Sequence, residues 1–281
     1  MRVAYQGVPG AYSEQAAHRA LGRKITPLPC QTFDDVFDMV AGRRADRGVI
    51  PIENSLAGSI HQNYDLLLDR SLHIVGEVHL KVEHVLMALP GASLRSLTRI
   101  RSHPQALAQC NRFFRRHPRL IAEPYFDTAG AAASIASERA DDVGAIASSY
   151  AARLYKLAVL QRRMENEPHN YTRFLLISRR PWSPKSGVRT KCSIVFRPHR
   201  NIVGILFRIL GVFALRDINL LKIESRPDPR SPFSYLFYVD FLGTPLESHT
   251  ARALEHLQEM TSLFRLLGAY PADANEIRVR R

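Results

Sequence analysis

The sequence contains few residues that point to a metal, a disulfide or a bound nucleotide. Its 281 residues include only three cysteines, Cys30, Cys110 and Cys192, which lie far apart and form no CxxC pair or Cys/His cluster. Because zinc and iron–sulfur sites need such clusters, we expect reduced, mostly buried thiols and no metal site. The patterns GxGxxG, GxxxxGK(S/T), HExxH and GxSxG are also missing. We therefore expect no nucleotide, flavin or metal cofactor.

Long apolar stretches are scarce as well. The most apolar run, from Ile202 to Leu215, is interrupted by Arg208 and is too short to cross a bilayer. The first seven residues contain no apolar segment of the kind found in a secretory signal. We expect a protein that does not enter a membrane and that is located in the cytoplasm.

Basic residues are in excess. The 39 lysines and arginines stand against 26 aspartates and glutamates, which gives a formal net charge of +13. Such a charge is common in proteins that bind nucleic acids or other anions. Here the basic residues are spread in small groups that are not interleaved with aromatic side chains, as a platform for single strands would be. We therefore expect acidic small molecules as ligands and no nucleic acid.

The first 178 residues alternate between segments typical of strands and segments typical of helices. Strands are predicted over 3–5, 48–52, 143–147 and 174–178, and the stretch 72–89 is rich in β-forming residues. Helices are predicted from Ser13, from Thr32 to Gly42, over 60–69, after Ser102 and Pro104, and after Thr128 as N-cap. Thr32 and Asp35 have the spacing of a capping box. This alternation predicts an α/β architecture.

The segment 179–190 contains Pro181, Pro184, Gly187 and four basic residues, and it is predicted to be a linker. The chain after it has strand and helix patterns in the order β-α-β-β-α-β, which is the ferredoxin-like arrangement. The strands are predicted over 192–196, 220–225, 233–241 and 265–269. One helix is marked by Ile202, Leu206, Ile209 and Phe213, and the other by Leu254, Leu257, Met260 and Phe264.

Hydroxyl and amide side chains collect at the predicted helix starts. They are Ser13, Asn54, Ser55, Ser59, Ser102 and Thr128. Free backbone N–H groups and the helix dipole make such places suitable for binding anions. Ser and Thr are also the preferred N-caps, so each residue alone is equally compatible with a structural role.

The segment Asn170-Tyr171-Thr172-Arg173-Phe174 lies where a polar loop enters a predicted strand. Arg173 has the fork geometry that pairs with a carboxylate, and Thr172 places a hydroxyl next to it. From the pattern alone, an ordinary strand start with an exposed arginine is the alternative interpretation.

Several segments resemble those of the prephenate dehydratase family, in the order in which that family has them. They are 4–10 with Ala11, Tyr12 and Ser13 (AYQGVPGAYS), 49–55 (VIPIENS), 102–106 (SHPQA), 127–130 (DTAG), 170–174 (NYTRF) and, near the C-terminus, 223–227 (IESRP). The last segment is similar to the phenylalanine-binding part of the family's ACT domain. Together the resemblance covers about residues 2–270.

The resemblance implies a fold and a domain plan. The catalytic domain would occupy residues 1–178 as two α/β lobes like those of a periplasmic binding protein, with the site in the cleft. The first lobe would contain about 1–76 and 166–178, and the second about 77–165. The linker 179–190, an ACT regulatory domain over 191–272 and a basic tail over 273–281 would follow. With no chorismate mutase segment before the dehydratase, the monofunctional form is expected.

The resemblance also implies a reaction, the decarboxylating dehydration of prephenate to phenylpyruvate on the route to L-phenylalanine, by a carbon–oxygen lyase without a cofactor. Thr172, Arg173 and Phe174 would be catalytic: Thr172 as hydrogen-bond or proton donor to the leaving hydroxyl, Arg173 as carboxylate ligand and Phe174 as apolar wall. The implied substrate-binding residues are Ser13, Glu53, Asn54, Ser55, Ser59, His103, Gln105, Thr128, Ala129 and Asn170.

The regulatory domain is implied to bind L-phenylalanine as an allosteric effector in a homodimer or homotetramer. The implied contact residues are Asn201, Gly204, Ile205, Leu206, Glu224, Ser225, Arg226 and Pro227. Where the family usually has a Pro-Gly-Ala-Leu type of sequence, this chain has Val203-Gly204-Ile205-Leu206. Gly204 retains the close backbone approach that an amino-acid ligand needs, but Ile205 is bulkier than alanine. Weakened or altered effector binding is therefore an alternative.

Two other functions remain compatible with the same segments. One is an arogenate dehydratase, because arogenate differs from prephenate only by an amino group in place of the side-chain keto oxygen. The alanines of Gly130-Ala131-Ala132-Ala133 resemble those of some members that prefer arogenate. The other is a non-catalytic amino-acid sensor, which the intact Thr172-Arg173-Phe174 segment disfavours.

Overall fold

The computed structural model describes residues 1–200, 202–228 and 230–274. The chain forms two compact units. Unit 1 contains Met1–Asn63 and Val78–Phe174, and unit 2 contains Tyr64–Glu77 and the described residues from Leu175 onward. None of the described helices has the length and apolar character needed to span a bilayer.

Two sheets form the framework of the N-terminal part. The strands of the first are β1 (Arg2–Gln6), β2 (Thr26–Cys30), β3 (Arg47–Asn54), β4 (Gly58–Ser59), β5 (His73–Lys81) and β11 (Tyr171–Ser178). Their order is β2-β1-β3-β11-β5, with β4 paired to β3. Strand β1 is parallel to both β2 and β3, so their carboxyl ends meet at one edge.

The second sheet lies entirely in unit 1. Its strands are β6 (Val85–Ala88), β7 (Arg99–Ser102), β8 (Ile121–Pro124), β9 (Val143–Ala147) and β10 (Ala158–Arg162), in the order β10-β6-β9-β7-β8. Strand β7 is parallel to β8 and β9, whereas β6 is antiparallel to β9 and β10. A core rich in alanine packs under this sheet, because small side chains allow a helix to approach the strands closely.

Seven helices of the described residues accompany these sheets. They are α1 (Tyr12–Leu21), α2 (Phe33–Ala41), α3 (His61–Asp69), α4 (Pro104–Gln109), α5 (Asn111–Arg116), α6 (Thr128–Glu138) and α7 (Ser149–Leu154). The predicted capping box at Thr32 and Asp35 is present, and Pro104 occupies the first turn of α4. The prediction that Thr128 is an N-cap is wrong. Asp127 caps α6 by accepting from the backbone N–H of Gly130, and Thr128 is the first helical residue.

The C-terminal part of unit 2 has the predicted β-α-β-β-α-β order. It contains β12 (Thr190–Pro198), α8 (Ile205–Ala214), β13 (Leu220–Pro227), β14 (Tyr235–Leu242), α9 (Ser248–Glu259) and β15 (Thr261–Pro271). The sheet order is β13-β14-β12-β15, and a core from both helices covers one face. The predicted α/β class and the ferredoxin-like C-terminal arrangement are therefore confirmed, and the domain bounds stay a prediction.

Several boundaries in this part differ from those predicted. Helix α8 begins after Ile202, Phe233 precedes β14, and Met260 and Phe264 lie beyond α9. Phe264 belongs to β15, which starts four residues earlier than predicted. An i, i+3, i+4 apolar spacing continues across the junction of α9 and β15, so periodicity alone cannot mark that helix end.

Candidate functional site

The candidate site is a cavity of about 280 Å³ whose lining residues all belong to unit 1. It lies where β1 and β3 end and where α1, α4 and α6 begin. Eight of the residues predicted from the sequence line it: Ser13, Asn54, His103, Gln105, Thr128, Asn170, Thr172 and Phe174. Ligands of α/β proteins commonly bind at the carboxyl ends of parallel strands, so this placement follows from the topology.

Strand β11 presents Thr172 and Phe174 to the cavity and turns Arg173 away from it. The strand begins at Tyr171, three residues before the predicted start, so Thr172 is a strand residue rather than a loop residue. Successive side chains of a strand point to opposite faces, which separates Thr172 and Phe174 from Arg173. Thr172 and Phe174 are lining residues, whereas Arg173 is not one of them.

Arg173 is buried, not exposed as in the simplest interpretation of the sequence. It is 4 % exposed, and its Nη1 lies 3.4 Å from Oε1 of Glu53. Both side chains take part in further interactions. Glu53 likewise lies outside the cavity lining. The Arg173–Glu53 pair can fix the start of β11 beside β3. Because neither side chain lines the cavity, any effect of the pair on the substrate would pass through Thr172.

Asn54 holds Thr172 in a defined hydrogen-bonding state. Asn54 Oδ1 accepts from the backbone N–H groups of Leu56 (3.0 Å) and Ala57 (2.9 Å), which fixes the orientation of the amide. Its Nδ2 therefore points to acceptors and donates to Thr172 Oγ1 at 3.0 Å. Because Thr172 Oγ1 accepts this bond, its own O–H is available to donate into the cavity.

The same polarity continues through three more side chains. Asn54 Nδ2 lies 2.7 Å from Asn170 Oδ1, so Asn170 Nδ2 is the donor that reaches Gln109 Oε1 at 3.1 Å. Gln109 Oε1 also lies 3.1 Å from Nε2 of His84, which must therefore carry a hydrogen. On the other side of the ring, His84 Nδ1 lies 3.0 Å from the Tyr12 hydroxyl.

His84 is 2 % exposed, and its pKa is lowered, mainly by burial, against a smaller opposing effect of the Gln109 hydrogen bond and the Glu165 carboxylate. Glu165 Oε2 accepts from the backbone N–H of His84 at 2.9 Å. The single hydrogen of the Tyr12 hydroxyl can go either to Nδ1 of neutral His84 or to the carbonyl of Glu83, which lies 2.8 Å from the Tyr12 oxygen, and burial raises the pKa of Tyr12 well above its usual range. The ring of His84 is therefore mostly neutral at neutral pH.

Two helix starts supply positive partial charge to the cavity. At α1, the N-cap residue Ala11 has no side-chain acceptor for the first backbone N–H groups, and Tyr12 and Ser13 line the cavity. At α6, Thr128 lines the cavity and Ala129 is buried in the helix behind it. These N–H groups can bind carboxylates without a basic side chain.

The charged side chains of the cavity are few. Among the described residues that line it, none is lysine or arginine, and the one carboxylate is that of Asp127. Asp127 Oδ1 caps α6, whereas its Oδ2 is buried and has no hydrogen-bond partner. Arg173 was expected to pair with a substrate carboxylate, but neither Arg173 nor any lysine or other arginine of the described residues lines the cavity.

The remaining predicted residues of the site lie close to the cavity without lining it. Ser55 Oγ donates to the carbonyl of His169 (2.9 Å) and accepts from Tyr171 N–H (2.9 Å), and so ties the loop after β3 to the start of β11. Ser59, in β4, pairs with Glu53 of β3. Both residues shape the chain that follows Asn54.

Twelve of the twenty lining residues were not among the predicted site residues, and they include Tyr12, His84, Gln109 and Asp127. Tyr12 and Asp127 lie within the segments that carry the resemblance, but the partners of the Tyr12 hydroxyl, Glu83 and His84, are distant in sequence. His84 is a polar residue in an apolar β-rich stretch, which is a signal of a buried polar group, although not of its partners.

The predicted effector residues lie in unit 2. Gly204 has a left-handed conformation (φ 78°) directly before α8, and Ile205 and Leu206 open that helix. Glu224, Ser225, Arg226 and Pro227 lie in β13, where Arg226 Nη2 contacts Asp65 Oδ2 at 2.7 Å. Asn201 lies outside the described residues, as does 275–281 of the predicted basic tail.

The structure gives no group of three or more His, Cys, Asp or Glu side chains arranged for a metal ion in residues 1–200, 202–228 and 230–274. The three cysteines are free and buried. Burial raises the pKa of the Cys110 and Cys192 thiols to about 12, so neither is a nucleophile at neutral pH.

Known proteins resemble the chain over nearly its full length. Arogenate dehydratase/prephenate dehydratase 2 (chloroplastic) of Arabidopsis thaliana is 48% identical over 97% of this chain and 73% of that protein. Arogenate dehydratase 2 of Petunia hybrida is 46% identical over 98% of this chain and 72% of its own length.

Solved structures agree with these sequence relatives. The prephenate dehydratase from Arthrobacter aurescens in complex with L-Phe has a TM-score of 0.89 at 30% identity, over 98% of this chain and 91% of that one. A protein described as GqqA, a novel type of quorum quenching acylase, also has a TM-score of 0.89, at 37% identity over 98% of this chain and 100% of that one.

Family models match the two parts of the chain separately. The ACT domain model matches residues 199–257, and the prephenate dehydratase model matches residues 3–181. The prephenate dehydratase model matches most of the chain, and relatives that cover nearly all of it are almost half identical in sequence. The chain therefore belongs to the prephenate dehydratase family, as a dehydratase with a C-terminal ACT domain.

Proposed function

We propose that this protein catalyses the decarboxylating dehydration of prephenate to phenylpyruvate. The observation that carries the proposal is the Thr172 hydroxyl, which lines the cavity and which Asn54 holds as a donor. Prephenate loses carbon dioxide and a ring hydroxyl to form an aromatic ring, a strongly favourable change. The protein needs only to hold two carboxylates in place and to help the hydroxyl leave.

The binding mode follows from the charges of the cavity. The helix starts at Ser13 and Thr128 would hold the two carboxylates through backbone N–H groups and hydroxyls. Phe174 would form part of an apolar wall against the ring, and Thr172 would donate to the leaving oxygen. Such fixed donors act by positioning and by stabilising the charge that develops on the leaving oxygen.

Arogenate is the second candidate substrate, and Asp127 favours it. The free Oδ2 of Asp127 is an acceptor without a partner, and arogenate carries an ammonium group where prephenate has a keto oxygen. Both substrates carry two carboxylates, which the Asp127 carboxylate repels, but only arogenate also carries an ammonium group, which it attracts. The Petunia hybrida relative is named as an arogenate dehydratase and supports this candidate, whereas the Arabidopsis thaliana relative is named for both activities.

Parallel assays with the two substrates test both candidates. Phenylpyruvate is followed by its absorbance in base, and phenylalanine by chromatography. Turnover of neither substrate by the wild-type protein would refute the dehydratase proposal and leave the amino-acid sensor.

Asp127→Asn keeps an oxygen to cap α6 but removes the negative charge. If Asp127 holds the ammonium group, the variant should lose about tenfold or more in kcat/KM for arogenate, as expected for a charge-assisted hydrogen bond of ~1.5–3 kcal/mol. Its kcat/KM for prephenate should stay equal or rise. Equal losses for both substrates would mean that Asp127 acts only as a cap.

We also propose that the ACT domain binds L-phenylalanine as a feedback effector. Support comes from the resemblance at Glu224–Pro227, from Gly204, and from the related structure that was solved in complex with L-Phe. Titration calorimetry with L-phenylalanine tests it, and absence of binding heat and of inhibition would refute it. The homodimer or homotetramer and the cytoplasmic location remain predictions from the sequence.

A further inference from the structure

The dehydration consumes a proton, and Thr172 cannot be its source. Prephenate has two negative charges and phenylpyruvate one, and the other products are neutral carbon dioxide and water, so one proton enters in each turnover. A threonine hydroxyl is a very weak acid. The hydrogen-bond partner of Thr172 Oγ1 is the Asn54 amide, which donates a hydrogen bond but does not release a proton.

Two histidines line the cavity, and they differ in their surroundings. The Nδ1 of His103 accepts from the backbone N–H of Gln105 (3.2 Å), at the start of α4. His84 belongs to the hydrogen-bond chain that reaches Thr172, and its ring contacts polar side chains at both nitrogens. His84 is therefore the histidine whose two ring nitrogens are both held by side chains of the site.

The backbone decides which nitrogen of His84 can take up an extra proton. The N–H groups of Leu56 and Ala57 fix the Asn54 amide, which in turn makes Asn170 the donor to Gln109 Oε1. That oxygen accepts from His84 as well, so Nε2 always carries a hydrogen. A second proton can enter only at Nδ1, which faces the Tyr12 oxygen at 3.0 Å.

Tyr12 can pass this proton on. When His84 is neutral, Nδ1 can accept the Tyr12 hydrogen. When His84 is charged, Nδ1–H donates to the Tyr12 oxygen, and the Tyr12 hydrogen is released to another acceptor, such as the Glu83 carbonyl at 2.8 Å. Tyr12 lines the cavity, so a substrate oxygen can take the place of that carbonyl.

We propose that His84, acting through Tyr12, supplies the proton that leaves with the ring hydroxyl as water. This inference rests on the proposed dehydratase function. In the step, the His84 Nδ1–H bond breaks as its proton moves to the Tyr12 oxygen. At the same time the Tyr12 O–H bond breaks as the original Tyr12 proton moves to the leaving oxygen. The ring C–O bond breaks with its electron pair on the departing water. The bond to the ring carboxylate breaks with its pair entering the ring, and carbon dioxide is released.

The leaving oxygen has two lone pairs, so it can accept a hydrogen bond from Thr172 and the proton from Tyr12 in the same geometry. After the step His84 is neutral and regains its proton from solvent. The charged groups next to His84 are the carboxylate of Glu165 and the bound substrate, and both favour the protonated ring. Substrate binding therefore draws a proton onto a histidine that burial keeps mostly neutral in the free site.

The test compares kcat as a function of pH, between about pH 5 and 9, for the wild type, His84→Gln and Tyr12→Phe. Glutamine can keep an N–H toward Gln109 but cannot deliver a proton. In the wild type, kcat should fall as pH rises through the pKa of His84 in the complex. In His84→Gln, kcat should be lower by about 10²-fold or more and should lose this fall, as expected when a general acid is removed.

Tyr12→Phe should show a similar loss of kcat. Tyr5→Phe is its matched control, because the Tyr5 hydroxyl is buried without a hydrogen-bond partner and outside the cavity lining. The inference is overturned if Tyr12→Phe keeps wild-type kcat, or if His84→Gln keeps the wild-type fall with pH while His103→Gln loses it. A wild-type protein without turnover refutes the dehydratase proposal instead, so the two failures are distinguishable.

Proton uptake gives an independent measurement. Prephenate is titrated into Thr172→Val, which is expected to bind but not to turn over, in buffers of different ionisation enthalpy. We expect net proton uptake on substrate binding at a pH where His84 is neutral in the free protein, and a value near zero when His84→Gln is added to Thr172→Val. Equal uptake with and without His84 would overturn the inference.

Discussion

The amide of Asn54 sets the direction of every hydrogen bond between Leu56 and His84, so Asn54→Asp is the most informative single substitution. An aspartate can still accept from the N–H groups of Leu56 and Ala57 with one oxygen. Its second oxygen replaces the donor Nδ2, which lies 2.7 Å from Asn170 Oδ1 and 3.0 Å from Thr172 Oγ1. Two acceptors then face each other, and the Thr172 hydroxyl turns to donate to the carboxylate.

The size of the effect can be estimated from that new bond. A hydrogen bond to a charged acceptor contributes ~1.5–3 kcal/mol. Thr172 must give it up before it can donate to the substrate, which corresponds to a loss of about 10- to 150-fold in kcat. The added negative charge should also raise KM for an anionic substrate.

Asn54→Ala is the matched control, because it removes the donor without reversing the Thr172 hydroxyl. We expect kcat in the order wild type, Asn54→Ala, Asn54→Asp, measured by phenylpyruvate or phenylalanine formation with thermal melting to confirm folding. As pH falls toward the carboxyl pKa, the protonated acid can donate again, so the activity of Asn54→Asp relative to wild type should rise. An Asn54→Asp protein more active than Asn54→Ala, with no relative recovery in acid, would refute this account of the amide.

Two further substitutions test neighbouring residues. Thr172→Val should lower kcat by about 10²–10⁴-fold, as expected for loss of a group that acts only in the transition state. The kcat of the control Thr172→Ser should stay within about tenfold of wild type. A Thr172→Val protein with near-normal turnover would remove the hydroxyl from the mechanism. Arg173→Lys should mainly lower the melting temperature and change KM less than about threefold, because the buried guanidinium faces Glu53 rather than the cavity. A rise in KM of about tenfold at an unchanged melting temperature would instead mean that Arg173 binds a substrate carboxylate.

Local signals in the sequence were sufficient for most elements. The capping box at Thr32 and Asp35 and the proline at the start of α4 depend on residues within one helical turn, so they could be identified without the rest of the chain. The β-α-β-β-α-β order followed from periodicity in the same way. The boundary at Phe264 was wrong because tertiary packing decides where an apolar pattern changes from helix to strand.

The sequence by itself also determined the family and eight of the residues that line the cavity, since those residues lie in short recognisable segments at strand ends and helix starts. Only the tertiary structure decided which of them cooperate. Asn54 and Thr172 are 118 residues apart, and Tyr12 and His84 are 72 apart. The pairing of β11 beside β3 brings the first pair together and turns Arg173 away. Hydrogen-bond polarity depends on such contacts between distant segments, so the donor state of Thr172 and the place of His84 could not be read from residue types and spacing.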